Sequence, residues 1–365
     1  MKVVILAPAS VIHTQRWVEA LHSCGLRLTL ATQHPTVSWR PPEGVRLVQL
    51  PYAGTPGYIR NVPALRRLLR DERPDLLHAH YASGYGSTAA LVGFHPWLLS
   101  VWGSDVYDFP YESRLKGWWL RRNLRRADAV ASTSEAMASQ VRRLVPGLGT
   151  VAVTPFGIDT TRFTRQARLH AGLVIGTVKK LAPKYGIDTL IRAFAMLLAG
   201  LDDGAAITLC IVGEGPQRAE LEALARQLGV AGRVEFAGAV AHADVPAQLH
   251  NFDIFAAASR LDSESFGVAV IEASACALPV VVTRVGGLPE VVREGETGLV
   301  VERDDPAALA AALKRLVADA AMRERLGRNG RERVQAEYEW DACVKRMVAL
   351  YRDLIGPCQG SGAGR

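Results

Sequence analysis

The sequence predicts an α/β protein built from two doubly wound parallel-sheet domains. Length is the first observation, because 365 residues exceed the size at which one hydrophobic core keeps growing. The second is the alternation of short apolar runs with helical patterns, which is typical of parallel sheets covered by helices on both faces. The third is that this alternation restarts after residues 155–172, a stretch rich in turn-forming and charged residues that we interpret as a linker.

Strand-like runs carry the prediction on both sides of the linker. Before it stand KVVILA, LRLTLA, RLVQL, DLLHAH, LLSVW and DAVAS, and after it LVIGTV, AITLCIV, RVEFA, DIFAA and PVVVT. Between them, GIDTLIRAFAMLL places five apolar residues on one helical face: Ile187, Leu190, Ile191, Phe194 and Leu198. We therefore expect domains over residues 1–165 and 166–340, a terminal helix over 341–356 and a disordered tail over 357–365.

Composition narrows the class of protein. A chain that is 49% hydrophobic and 22% charged is typical of a soluble globular protein, and its longest apolar runs are strand-sized. We interpret the N-terminal MKVVILAPAS as a first strand rather than a signal peptide, and so expect a cytoplasmic protein. The five cysteines are scattered and form no C-x-x-C pair, which argues against both a disulfide framework and a zinc site.

The positive charge is unevenly distributed. Of the 43 Lys and Arg, 20 lie in the first 165 residues, against 11 of the 36 Asp and Glu. A basic surface suits an anionic partner, although a merely solvated basic face explains it equally well. Residues 114–126, RLKGWWLRRNLRR, predict a basic helix whose Trp118 and Trp119 could lie on anionic lipid headgroups. The alternative is a helix with one buried Trp and a solvated basic rim.

The segment ESFGVAVIE carries the clearest chemistry. It follows the predicted strand DIFAA and enters a helix near Phe266, Gly267 and Val268. A helix N-terminus offers free backbone N–H groups and a positive dipole end, which favour phosphate. Glu272, one turn further on, can accept hydrogen bonds from the vicinal hydroxyls of a ribose, and Glu264 faces whatever the phosphate carries. A helix start with an incidental glutamate is the alternative.

The same segment is similar to the retaining glycosyltransferases of family 4, the large GT-B group that uses nucleotide sugars. Its signature is a Glu, seven residues and a second Glu, and the similarity runs through ESFGVAVIEASACALPVVVTRVGGLPEVVREGETGLVV. Upstream it extends through GTVKKLAPKYGIDTLIRAF, LCIVGEGP and VEFAGAV. The resemblance implies a GT-B fold, with two Rossmann-like domains facing a central cleft. The first domain would be the acceptor side, the second would bind the nucleotide sugar, and the terminal helix would cross back to the first.

The resemblance also implies roles for residues of the second domain. Glu264 would contact the donor sugar and Glu272 the ribose, while Lys180 and Lys184 would clasp the diphosphate. Lys180 stands where the family usually has Arg, which keeps the charge but gives up the planar fork that pairs with phosphate. The remaining donor-side residues are backbone contacts or the wall near the nucleotide and base: Phe266, Gly267, Val268, Gly213, Glu214, Gly215 and Val240.

In the first domain the predictions concern the acceptor side. The first loop places Ser10 and His13 near the cleft, His13 being equally a packing or capping histidine. Many relatives have a His where Trp102 stands, and that His touches the donor sugar, so the contact is lost here or replaced by apolar stacking. Asp105 is a candidate catalytic partner for an acceptor hydroxyl, with an N-cap as the alternative.

We therefore expect a retaining hexosyltransferase that moves a sugar from a UDP- or GDP-sugar co-substrate to an acceptor hydroxyl on a glycan, lipid or small molecule. Retention follows from the resemblance, and no residue stands out as a covalent nucleophile, which favours a same-face mechanism. The acceptor would be anionic or lipid-linked, with contact at the inner face of the membrane and no nucleic acid. No cofactor and no metal are expected, because the sequence has no D-x-D pair.

Two other functions compete with this prediction. An NAD-dependent oxidoreductase would also use doubly wound domains, but the first βα turn lacks the glycine fingerprint, and Arg218 stands where a third glycine would follow Gly213 and Gly215. A non-catalytic protein that binds sugar nucleotides is the other alternative, left open by Trp102 and Lys180.

Overall fold

The computed structural model describes residues 1–34, 39–166, 171–201 and 206–356. The chain divides into two compact units, one of Met1–Pro155 with Cys343–Arg365 and the other of Phe156–Ala342. The predicted tail, 357–365, and part of the predicted linker, 167–170, lie outside the described residues.

The first unit contains a seven-stranded parallel sheet. Its strands are β1 (Lys2–Leu6), β2 (Arg27–Thr32), β3 (Arg46–Gln49), β4 (Leu76–His80), β5 (Trp97–Ser100), β6 (Ala129–Ser132) and β7 (Val151–Val153), in the order β3-β2-β1-β4-β5-β6-β7. Val4 of β1 aligns with Thr29 on one side and Leu77 on the other. The helices are α1 (Ile12–Ser23), α2 (Gly54–Arg60), α3 (Val62–Glu72), α4 (Tyr85–Val92), α5 (Ser104–Tyr107), α6 (Arg114–Arg126) and α7 (Glu135–Leu144).

Burial on both faces explains why the central strands of this unit are almost entirely apolar. Residues 3–6 of β1 are fully buried, as are Leu77 and Leu99 on the neighbouring strands. Helices cover them with residues such as Leu65 and Leu120. Serine caps fix where two of these helices begin, because the Ser113 and Ser134 side chains accept hydrogen bonds from the third amide of α6 and of α7.

The second unit repeats the architecture with six parallel strands. They are β8 (Leu173–Val178), β9 (Ile207–Val212), β10 (Val234–Gly238), β11 (Ile254–Ala257), β12 (Val280–Thr283) and β13 (Gly298–Val301), in the order β10-β9-β8-β11-β12-β13. The helices are α8 (Ile187–Ala199), α9 (Arg218–Gln227), α10 (Val245–His250), α11 (Val268–Ala275), α12 (Leu288–Val291), α13 (Pro306–Ala318) and α14 (Ala320–Glu337). The last helix, α15 (Trp340–Ile355), belongs to the first unit from Cys343 onward.

These two parallel sheets confirm the predicted fold class. The apolar face predicted for α8 is buried at Ile187, Leu190, Ile191 and Phe194, whereas Leu198 is only half-buried. The sequence patterns missed β7 and β13, since segments of three and four residues are too short to show a strand period. No helix in the described part of the chain combines the length and apolarity needed to span a bilayer.

The strand order reverses at one point in each sheet. In the first unit this point lies between β1 and β4, and in the second between β8 and β11. Loops that leave the carboxyl ends of two such strands diverge, and the crevice between them is where open α/β sheets bind ligands. The loops after β8 and β11 contain Lys180, Lys184 and Glu264, which the sequence singles out for donor binding.

Candidate functional site

A buried ion pair joins the loops after β8 and β11. Lys179 follows the last residue of β8, and its Nζ lies 2.7 Å from Oε1 of Glu264 in the loop after β11. Each side chain is only 9% exposed. Burial lowers and the Glu264 carboxylate raises the pKa of the Lys179 ammonium, with a net upward direction. The ammonium therefore stays charged at neutral pH.

A second lysine lies beside this pair. Lys184 donates from Nζ to the carbonyl oxygen of Ser263 at 2.8 Å, and its own carbonyl accepts from the Arg260 amide at 2.8 Å. Both ammonium groups lie near the Tyr185 ring, with Nζ of Lys179 5.2 Å and Nζ of Lys184 5.5 Å from its centroid. One ammonium group thus pairs with the Glu264 carboxylate, and the other contacts the backbone of the residue before it.

Lys180 occupies a different environment from these two lysines. It is exposed, and among the described residues the Glu264 carboxylate pairs with Lys179 instead. The structure therefore places Lys184 against the loop that contains Glu264, through the Ser263 carbonyl, and leaves Lys180 at the solvent edge of its own loop.

The N-terminus of α11 offers free amides next to Glu264. Gly267 precedes the helix with φ of 85°, and a Cβ at this position would lie 2.5 Å from Cδ2 of Leu288. The first amide of this turn with a backbone partner is that of Val270, which donates to the Gly267 carbonyl at 2.9 Å. Within the described residues, the amides of Gly267, Val268 and Ala269 have no acceptor. They form a site suited to phosphate oxygens.

Phe266 anchors this turn rather than facing outward. It is 4% exposed, and its ring packs edge-on against Phe156 and Tyr338, with centroids 6.0 and 5.6 Å apart. Only its backbone is therefore placed to contact a ligand.

Glu272 lies one turn into α11 and is held by a histidine. Its side chain is 5% exposed, and its Oε1 lies 2.9 Å from Nε2 of His242, in the loop after β10. The His242 carbonyl accepts from Nη2 of Arg162 at 2.6 Å, and its ring packs on Phe163 with centroids 6.1 Å apart. The half-buried Val240 lies two residues before this histidine.

The glycines around the site serve close backbone packing. A Cβ at Gly213 would lie 1.9 Å from the Lys179 carbonyl oxygen, and one at Gly215 would lie 2.2 Å from that of Leu181. Side chains there would push the loop after β8 out of place. Glu214, between them, forms an ion pair with Arg218. The predicted wall near the nucleotide therefore packs directly beneath the lysine loop.

A glycine pair supports the loop after β11 in the same way. Cβ atoms at Gly286 and Gly287 would lie 2.2 Å from the Glu264 carbonyl oxygen and 2.1 Å from that of Ser265. The Gly287 amide also donates to the Glu264 carbonyl at 3.1 Å. These contacts explain the VGG sequence after β12.

Asp105 ties two loops of the first unit together. Its Oδ2 accepts from the Ala82 amide at 2.8 Å, and its Oδ1 from the amides of Trp102 and Gly103 at 3.1 and 2.9 Å. The side chain is 2% exposed, and burial raises the pKa of its carboxyl against the lowering by these amides. It acts as a loop clamp rather than a helix N-cap, since Gly103 precedes α5. Its predicted contact with an acceptor hydroxyl stays a prediction.

Trp102 lies in an aromatic cluster at the carboxyl ends of β1, β4 and β5. Its ring packs against His80 at 4.5 Å, Tyr81 at 5.0 Å and His13 at 6.1 Å between centroids. Ser10 is exposed in the turn before α1. The structure therefore brings His13 and Trp102 together, while the acceptor-side roles of all three residues stay predictions.

The sequence patterns did not identify Lys179 and His242, the residues that contact Glu264 and Glu272 respectively. Both follow the carboxyl end of a strand, which is the position that parallel sheets use for ligands. That rule could have singled out Lys179, but it could not separate it from Lys180. Among the described residues, no three His, Cys, Asp or Glu side chains cluster in a way that could hold a metal ion.

Comparison with known proteins yields two family models. The model described as Glycosyl transferases group 1 matches residues 161–333, and the one described as Glycosyl transferase 4-like matches residues 2–134. The chain is 33% identical over 287 residues to the GDP-mannose-dependent alpha-(1-6)-phosphatidylinositol monomannoside mannosyltransferase of Mycobacterium tuberculosis. That alignment covers 72% of this chain and 71% of the relative.

Solved structures share the fold of two parallel-sheet domains. Sucrose-phosphate synthase from Thermosynechococcus elongatus superposes with a TM-score of 0.84 at 25% identity, covering 97% of this chain and 99% of that one. The Anabaena protein HepE in complex with UDP-glucose superposes with a TM-score of 0.79 at 18% identity, covering 96% and 99% of the two chains. The latter likeness concerns the fold alone.

The two doubly wound sheets, the two family models and these relatives define a nucleotide-sugar-dependent glycosyltransferase of the GT-B class. The chain belongs to the retaining family 4 glycosyltransferases. It is a hexosyltransferase that transfers a sugar from a nucleotide-sugar donor to an acceptor hydroxyl.

Proposed function

We propose that the second unit binds the donor through the crevice between the loops after β8 and β11. The observation that carries this proposal is that Lys184 contacts the loop of Glu264, which leads directly into the free amides at the start of α11. The diphosphate would lie on the amides of Gly267 and Val268, with Lys184 and the exposed Lys180 closing over it. Glu264 would accept from the donor sugar and Glu272 from the ribose hydroxyls.

The leaving group would be stabilised by fixed positive charge. Breaking the bond between the anomeric carbon and the diphosphate oxygen leaves negative charge on the phosphate, next to Lys184 and the positive end of the α11 dipole. The acceptor hydroxyl would attack from the same face and give its proton to a phosphate oxygen. We propose that no metal is needed, because these groups supply the charge that a cation would otherwise provide.

The donor would be a hexose carried on UDP or GDP. The M. tuberculosis relative is named for GDP-mannose, and the HepE structure contains UDP-glucose, so both are reasonable first probes. Gly213, Glu214, Gly215 and the backbone at Val240 would lie along the nucleotide. Backbone contacts of this kind leave little trace of the base in the side chains.

The acceptor side would be formed by the first unit, around Ser10, His13, Trp102 and Asp105. An aromatic ring such as Trp102 suits stacking on the apolar face of a sugar ring. The mycobacterial relative acts on a phosphatidylinositol mannoside by its name, which supports a lipid-linked acceptor for this chain.

The surface of α6 supports contact with the inner face of the membrane. Trp118 is 55% and Leu115 70% exposed, and Arg114 and Arg125 flank Trp118 on the same helical face. Trp119 is the packed tryptophan instead, donating from Nε1 to Oγ of Ser87 at 2.7 Å. An exposed Trp between arginines is suited to anionic lipid headgroups.

A thermal-shift screen of nucleotide sugars followed by a transfer assay tests the proposal. A donor at a hundred times its dissociation constant stabilises the folded protein by about 2.7 kcal/mol. Transfer of the bound sugar to a lipid-linked or soluble acceptor should then continue in the presence of a chelator. Activity that collapses in chelator and returns with magnesium or manganese would overturn the metal-independent mechanism. Failure of every nucleotide sugar to stabilise the protein would overturn the donor site.

A further inference from the structure

The Lys179–Glu264 pair has more hydrogen-bonding capacity than its surroundings use. Lys179 Nζ carries three donors, and its contact with Oε1 of Glu264 uses one of them. Within the described residues, Oε2 of Glu264 accepts no hydrogen bond, and the remaining contact of the ammonium is with the Tyr185 ring. A donor and an acceptor therefore remain unused side by side in a buried place.

A neighbouring hydroxyl is unused as well. The Ser263 side chain precedes Glu264, is 4% exposed, and its Oγ has no partner among the described residues. Buried polar groups are nearly always hydrogen-bonded in folded proteins, so a cluster of unused ones indicates a place that a polar ligand completes.

The pair is not needed to hold the two strands together. β8 and β11 are already neighbours in the sheet, with Ile175 aligned to Ile254. Desolvation of a buried ion pair often offsets its Coulombic attraction, so that apolar residues of similar volume are often equally stabilising. A purely structural role therefore leaves the choice of charged residues here unexplained.

Backbone contacts with neighbouring glycines hold the backbone of both Lys179 and Glu264 in place. The Lys179 amide donates to the Val212 carbonyl at 3.0 Å, and the close approach of Gly213 fixes the Lys179 carbonyl. Gly286 and Gly287 hold the backbone of Glu264 and Ser265 in the same way. Such preorganisation is what recognition of a specific hydroxyl pattern requires.

We propose that Lys179 is a specificity-determining residue for the donor, forming with Glu264 a paired donor and acceptor for two adjacent hydroxyls of the transferred sugar. One hydroxyl donates to Oε2 of Glu264, and its neighbour accepts from Nζ of Lys179. The inference rests on the proposed function, which places the donor sugar at Glu264, and adds a second contact and a substrate class: nucleotide sugars with a free vicinal diol.

Comparing a nucleotide with its nucleotide sugar tests this directly. Calorimetry would measure the affinities of GDP and GDP-mannose, and of UDP and UDP-glucose, for the unaltered protein and for Lys179→Met. The variant should bind the nucleotide sugar about 10- to 100-fold more weakly, because hydrogen bonds to charged groups contribute about 1.5–3 kcal/mol. Its affinity for the sugar-free nucleoside diphosphate should be unchanged.

Three further variants separate this role from general damage. Lys180→Met should weaken the nucleotide and the nucleotide sugar alike, since its proposed partner is the diphosphate. Lys179→Arg keeps the cation and should restore part of the sugar-dependent affinity. Lys179→Met/Glu264→Gln leaves no unpaired buried charge, which protects the fold, and should lose less sugar-dependent affinity than the sum of the two single changes.

A second measurement needs no substitution. A nucleotide sugar lacking one hydroxyl of the diol should bind the unaltered protein as weakly as the full sugar binds Lys179→Met. Equal loss of nucleotide and nucleotide-sugar affinity in Lys179→Met, or full affinity for every deoxy sugar, would make the pair a structural ion pair and overturn the inference alone. An unaltered protein that binds none of the four probes would overturn the proposed function, and the inference with it.

Discussion

The two sheets of this protein share a strand order, but different kinds of side chain lie at the point where that order reverses. Both run third-second-first-fourth-fifth-sixth, with one extra strand at the edge of the first sheet. In the second unit, the charged pair of Lys179 and Glu264 lies at the reversal between β8 and β11. At that of the first unit lie uncharged rings, His80 and Trp102, with centroids 4.5 Å apart.

The contrast extends into strand β4 of the first unit. His78 on β4 contacts the Tyr351 hydroxyl through Nδ1 at 2.6 Å and the Ser100 hydroxyl through Nε2 at 2.7 Å. Burial lowers the pKa of His78 to about 3 and that of His80 well below its ordinary value. One topology thus carries neutral aromatic side chains in one unit and a charged pair in the other. The difference between the two units therefore lies in the residues at the strand ends and in the loops, not in the shared topology.

Removing Lys184 should have the largest effect on turnover. Lys184→Ala takes away a cation held by the Ser263 carbonyl, and loss of one preorganised stabiliser reduces turnover by about 10²- to 10³-fold. Lys180→Ala should cost less, because Lys180 is exposed and solvent screens it. Steady-state transfer rates at saturating donor would measure both. A larger loss of turnover in Lys180→Ala than in Lys184→Ala would show that the exposed lysine is the main stabiliser of the leaving group.

Removing Glu272 should weaken the binding of the nucleotide part of the donor rather than the binding of its sugar. Glu272→Ala deletes charge-assisted hydrogen bonds of about 1.5–3 kcal/mol, which is about 10- to 100-fold in affinity for a nucleoside diphosphate. Glu290→Ala, on the short helix α12, is a control in the same unit. Unchanged affinity by calorimetry in folded Glu272→Ala would remove the ribose assignment.

The neutral histidines should make the first unit sensitive to acid. Because the pKa of His78 is about 3 in the folded state and about 6.5 when unfolded, the unfolded state binds the extra proton between these values. Stability is therefore retained above pH 6.5 and lost as pH falls below it, by about 2 kcal/mol for this group between pH 7 and 5. Urea unfolding at the two pH values would measure it.

Replacement of the histidine sharpens that experiment. His78→Gln should be less stable than the unaltered protein at pH 7 but lose less stability on acidification. An acid dependence identical to that of the unaltered protein would show that His78 does not titrate on unfolding.

The smallest effect is expected on the surface of α6. Arg125→Gln should reduce binding to vesicles of anionic lipid about fivefold, since each basic residue near such a surface contributes about 1 kcal/mol. Arg192→Gln, exposed on α8 of the second unit, is the matched control. Cosedimentation at low and high salt would measure both variants. Equal binding to neutral vesicles, or none to anionic ones, would make α6 a solvated basic rim.

The fold followed from the sequence because its signals are local. Apolar runs such as KVVILA mark strands, and the ESFGVAVIE segment marks a strand, a loop and a helix start within one short stretch. The loops that contain Lys184 and Glu264 are in contact because the ends of neighbouring parallel strands meet at one edge. These relations depend on spacing along the chain and on strand order.

Side-chain pairing could not be predicted in the same way. Lys179 and Lys180 are adjacent and chemically identical, and no sequence period distinguishes the one whose side chain pairs with Glu264. His242 reaches Glu272 from another strand end, 30 residues away along the chain. Asp105 similarly clamps Ala82 and Gly103 through contacts that no sequence period encodes.

Hydrogen exchange with and without bound nucleotide tests the division between donor and acceptor sides most directly. Saturating GDP or UDP should slow exchange most strongly in peptides covering residues 179–186 and 264–272, because the free amides of α11 would bind phosphate and the lysine loop would close on it. Peptides covering residues 80–83 and 100–105 of the first unit should change less. Protection centred on the first-unit loops, with the second-unit peptides unchanged, would contradict the assignment of the donor to the second unit.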